Sequence, residues 1–110
     1  MDVAELRGHQ GMVVPEPGDE RFFRRDQEFD ACAWAFAGGI AIHCRDRWSG
    51  APVRVFGRMR LLLEWGRHHG LDARAVRARR APAYFDVSGT LAELLIRSCQ
   101  RQAVEDRSRP

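Results

Sequence analysis

Apolar positions along this chain fall into short unbroken runs separated by amphipathic stretches. Val53 to Phe56 and Ala83 to Val87 ("AYFDV") are brief and rich in β-branched and aromatic residues, which predicts strands. "MVV", Met12 to Val14, predicts another, closed by Pro15 and Pro17 at the loop "PEPGDE". Between these runs the period changes. Met59, Leu62, Leu63 and Gly66 recur at helical spacing with Leu61 and Trp65 flanking them, so a helix is expected from Arg58 to about His68, stopped by Gly70. "TLAE", Thr90 to Glu93, has the spacing of a capping box. The helix behind it, over about 90–100, is expected to bury Leu91, Leu94 and Leu95.

Two segments are less regular. In "RFFRRDQEFD" Phe22, Phe23 and Phe29 are expected to dock on the core, and Asp30 to cap a helix starting at Ala31. "ACAWAFAGGIAIHCRDRW" is apolar on most faces. It reads either as one helix or as a helix to Ala37 followed by a strand from Ile40 to His43, because Gly38 and Gly39 each cost about 1 kcal/mol against alanine inside a helix. Residues 71–80 are arginine-rich and carry no clear period, and from Gln102 the chain reads as a polar, frayed tail. Residues 1–101 therefore form one domain and 102–110 a tail. The order strand, helix, strand, helix, strand, helix predicts an α/β fold, with a small parallel sheet and crossover helices.

Composition narrows the function. All 18 basic residues are arginine. A nucleotide-gripping P-loop needs a lysine, so this chain has none. The net charge of +3 is diluted by 15 acidic residues, short of a dedicated phosphate-binding surface. The opening "MDVAELRGHQ" lacks the apolar core of a signal peptide, and the three cysteines show no C-x-x-C spacing, so reduced thiols and a cytoplasmic location are expected. The longest apolar run is about a dozen residues, short of the ~20 a membrane span needs.

Candidate chemistry is sparse. His43, Cys44, His68 and His69 are the residues with metal-ligand character, but they come as adjacent pairs whose side chains diverge, so no metal site is expected. Cys32 and Cys44 lie in an apolar segment, where a thiol is ordinarily inert filling. Arg74, Arg77, Arg79 and Arg80 form a basic stretch that in an alternative reading grips nucleic acid, although a solvated connector or helix face is the simpler explanation. In an open parallel sheet, ligands bind beyond the carboxyl ends of the strands. Gly57, Arg58, Asp86 and Ser88 would then share one edge and form the candidate ligand site.

The same stretches resemble a known family. "DVAELRGHQGMVVPEP", "RFFRRDQEFD", "GAPVRVFGRM" and "AYFDVSGTLAELLIRS" are similar to segments of the MEDS domain, the methanogen/methylotroph DcmR-type sensory domain, with "VRVFG" and its downstream methionine the best match. The resemblance touches residues 2–65 and 83–98. It implies a RecA-like or KaiC-like core and a non-catalytic sensory or regulatory role in bacterial signal transduction, binding a small organic ligand or a signalling partner, with no cofactor. Two departures accompany it. Arg58 stands where the family usually has an acid, and the chain is expected to begin inside the domain, without its first strand and phosphate-binding turn. Such a truncation would leave an apolar face for a homodimer, with Trp34, Phe36 and Ile40 as its candidates. A hydrolase would instead need turnover that a cysteine or histidine substitution abolishes. With neither a P-loop lysine nor an acid at position 58, purified protein is expected to release no phosphate from ATP or GTP. Saturable, metal-dependent release in a phosphate assay would contradict this, and Arg58→Glu should not create it.

Overall fold

The computed structural model describes residues 14–45 and 51–108, with side chains up to 104. The described residues fold as an α/β unit around one mixed four-stranded sheet with three α-helices. Strand β1 (Glu20–Phe23) leads through a 3-10 turn into helix α1 (Glu28–Phe36) and then β2 (Ile40–Cys44). Strand β3 (Val53–Gly57), helix α2 (Met59–His68), strand β4 (Ala83–Val87) and helix α3 (Gly89–Ser108) follow. The strands lie side by side in chain order.

Only the first pair is parallel. β1 runs with β2, with Phe23 opposite His43, and α1 is the crossover between them. β2 and β3 are antiparallel, as are β3 and β4, which corrects the fully parallel sheet expected from the element order. The reason lies in residues 71–82. After α2 the chain does not enter the sheet directly, as a parallel crossover would. It climbs the outer edge of β4, where Arg77 and Tyr84 exchange both backbone hydrogen bonds at 2.8 and 2.9 Å. β4 then has to descend, opposite in direction to β3.

The two sheet faces bury different cores. One carries Ile40, Ile42, Val53, Val55, Phe85 and Val87 against Leu62 and Trp65 of α2 and Ala92 and Leu95 of α3. The other carries Phe23, Ala41 and Phe56 under Ala31 and Ala35 of α1. Consecutive strand residues alternate between these faces, so Phe22 and Phe23 serve both cores. Buried on both sides, β2 is apolar from Ile40 to Ile42, which is why periodicity left it ambiguous with a helix. Gly38, with a φ of 111°, resolves the choice by ending α1 before the strand.

Several local expectations shift. Val14 lies outside any strand and is exposed, and Met12 and Val13 fall outside the described residues. The first strand among the described residues is β1, in which Glu20 and Arg21 are exposed. Phe29 is 85% exposed and does not dock on the core. α1 starts at Glu28, so Asp30 sits in its first turn and is not its cap. Met59 and Leu94 face outward, and Ala92 takes the core position beside Leu95. α3 starts at Gly89, one residue before the expected Thr90 cap. It continues through residues 102–108, so this part of the expected tail is helix.

α2 comes close to the sheet through Gly66. A Cβ there would lie 2.7 and 2.9 Å from ring carbons of Phe85, whose ring is buried and has nowhere to move. Gly66→Val is therefore expected to lower stability by about 1–3 kcal/mol through overpacking. Urea unfolding midpoints compared with wild type, at unchanged m-value, provide the check.

Candidate functional site

Antiparallel pairing separates the residues that a parallel sheet would have gathered. Gly57 pairs with Ala83 and Val53 with Val87. Gly57 and Arg58 therefore lie at one end of the sheet and Asp86 and Ser88 at the other, about 13 Å away along the strands. The expected common edge of Gly57, Arg58, Asp86 and Ser88 is not formed.

Asp86 is engaged in its own network. On one face, His43 stands opposite Arg54, and Arg54 opposite Asp86. Arg54 donates from Nε to Asp86 Oδ1 at 2.8 Å and from Nη2 to Oδ2 at 3.4 Å, with its guanidinium carbon 4.0 Å from the centre of the Tyr84 ring. Arg45 approaches the same carboxylate at 3.8 Å. This ion pair covers the part of the sheet that short α1 does not reach. Arg54 and Asp86 occupy polar positions of two alternating strands, a cross-strand signal that only an antiparallel register makes visible.

His43 is buried beside this network. Its Nε2 lies 3.2 Å from the carbonyl oxygen of Arg25, to which it donates in the neutral form, and Nδ1 is buried without a partner. Burial disfavours the imidazolium and pulls its pKa below the ordinary 6.5. Cys44 points to the opposite face, where it meets Cys99. His69 stacks on Trp65 with ring centres 4.0 Å apart, and His68 is exposed at the end of α2. Among the described residues, no three His, Cys, Asp or Glu side chains gather where a metal ion would sit.

At the Gly57 end the structure brings together residues that the sequence assigned to three different roles. Phe36, Gly57, Arg58, Met59, Ala78, Arg80, Ala81, Pro82 and Ala83 line an open groove of about 300 Å³. Comparison with family models, with curated protein sequences and with solved structures found no match to this chain. The groove therefore has to be understood from its own chemistry. Its walls are the exposed Phe36 ring, the half-exposed Met59 side chain and Pro82. Its lining holds two arginines and no carboxylate.

Arg58 has a local task as well. Its Nε and Nη2 donate to the carbonyl oxygen of Phe36 at 3.1 and 2.6 Å. A cation thus sits on the last carbonyl of α1, while Glu28 and Asp30 occupy its first turn, so both helix ends are matched to the macrodipole. An acid at position 58 would meet a carbonyl oxygen there.

The remaining site residues disperse. Arg74 is bound to Asp72, with Nη2 to Oδ2 at 3.1 Å, and Arg77 extends the sheet edge through its backbone. Of the four arginines in the stretch 74–80, Arg74 is thus ion-paired locally and Arg80 lines the groove. The expected dimer face is also divided. Ile40 is in the core at 1% exposure, and Trp34 lies under Arg21 and donates to the Asp19 carbonyl at 2.9 Å. Of that trio, Phe36 is left on the surface.

His43 yields a prediction in pH. Because the folded state holds it neutral, the unfolded chain binds more protons, and the contribution is present above pH 6.5 and lost as pH falls through the lower folded value. Stability should fall on acidification below 6.5, and His43→Gln should flatten that limb. Urea unfolding at stepped pH measures both.

Proposed function

We propose that this chain is a non-catalytic regulatory module that docks an acidic segment of a protein partner, with an apolar residue at its tip, in the groove between α1, α2 and the turn before β4. The observation that carries this reading is the groove itself, an apolar floor between Phe36, Met59 and Pro82 edged by Arg58 and Arg80. Apolar contact supplies affinity, and the arginines select anionic partners and favour their approach.

Shape favours a protein segment over an engulfed metabolite. At about 300 Å³ the groove is at the lower limit of small-molecule pockets, and it lies open where such pockets enclose most of their ligand. A binding role also fits the way polar groups are spent. His43 satisfies a turn carbonyl, Arg58 caps a helix and Asp86 holds a sheet ion pair. The resemblance of "VRVFG" to the MEDS domain supports the regulatory part of the reading, and the segment's Gly57 and Arg58 line the groove.

Fluorescence anisotropy tests this with labelled peptides that alternate glutamate with leucine or phenylalanine. Saturable binding is expected, weakened about tenfold by Arg80→Glu or by Met59→Glu and unaffected by Arg74→Glu. Equal binding by all variants would remove the groove from the function. Preferential binding of an oligonucleotide with a steep salt dependence would instead favour the nucleic-acid reading.

A further inference from the structure

A second chemical site lies at the other end of the sheet, away from the groove. Cys44 closes β2 and shares a face with Ile40 and Ile42, the face that α3 crosses. Cys99 is on α3, one turn beyond Leu95, which packs on this same face, and the two thiols lie close enough to shift each other's ionisation. Each is half-buried, so both remain within reach of a small reagent. Cys32 belongs to α1 on the opposite face, packed beside Phe23 and Phe56, with the sheet between it and the pair.

We propose that Cys44 and Cys99 form an oxidant-responsive dithiol, in which a peroxide drives closure of a disulfide that ties α3 to the central strand. Cys99 is the attacking residue. The neighbouring Cys44 thiol brings its pKa down to about 7 and Arg24 adds to this, which favours its thiolate. Cys44 is pushed the other way by its Cys99 neighbour and by burial, which favours its thiol.

The Cys99 thiolate attacks one peroxide oxygen and the O–O bond breaks. The departing hydroxide takes up a proton to become water, leaving Cys99 as a sulfenic acid. The Cys44 sulfur then attacks the Cys99 sulfur. The S–S bond forms, the S–O bond breaks, and the hydroxyl leaves with the Cys44 thiol proton as a second water. Two thiols and one peroxide give one disulfide and two waters. The bridge closes the long loop between positions 44 and 99, and a loop of that length gives a disulfide a large effect on the unfolded chain.

The test treats the folded full chain with equimolar hydrogen peroxide, then alkylates it in denaturant and counts free thiols by mass. The count should fall from three to one, and Tm should rise by several degrees. Trypsin leaves Cys32 and Cys44 together on residues 26–45, so the bridge is mapped in Cys32→Ser, where that peptide should be joined to the one holding Cys99. Cys44→Ser should form no bridge and should accumulate a sulfenic acid that dimedone traps at Cys99. Three alkylatable thiols after treatment, a bridge to Cys32, or equal bridging rates in folded and urea-unfolded protein would each overturn the proposal. None of these outcomes depends on what the groove binds.

Discussion

One backbone pair sets the layout of this molecule. Arg77 and Tyr84 exchange two hydrogen bonds at the outer edge of the sheet and hold residues 71–82 along β4. Because that segment has already climbed the sheet, β4 enters from the top and runs against β3. Its direction places Asp86 opposite Arg54 and brings Arg80, Ala81 and Pro82 beside Gly57 and Arg58. A crossover that entered β4 from below would reverse the strand and break up both arrangements. The pair also satisfies backbone groups that an edge strand would otherwise present for association.

Unequal cover on the two faces determines where chemistry can appear. α2 and α3 shield one face, and the close approach at Gly66 and Phe85 leaves little space there. The nine residues of α1 span less of the other. Where α1 falls short, the sheet substitutes the Arg54–Asp86 pair over Tyr84, polar enough to meet water and paired well enough not to need a ligand. Where α1 ends, Arg58 meets its last carbonyl and leaves Phe36 beside the groove. A single arginine thereby links helix termination to the shape of the candidate binding surface.

The sequence by itself determined those elements whose period is strong. β4 spans residues 83–87 as its apolar run predicts, and α2 ends at His68, just before Gly70, because local geometry and burial agree there. It also placed Gly57 and Arg58 at a strand end beside a helix start. Strand direction was beyond it. That depends on whether the connector 71–80 is a loop or an edge segment, and backbone pairing has no side-chain pattern to announce it. For the same reason the ligand edge built on Gly57 and Asp86 dissolved, while Phe36, Arg58 and Arg80, far apart in sequence, came to line one groove. Sequence could name Cys44 and Cys99 but not join them, since their contact depends on how α3 crosses the sheet. Periodicity is a local property and was readable; strand direction and the meeting of distant side chains are properties of the packed chain, and tertiary structure alone decided them.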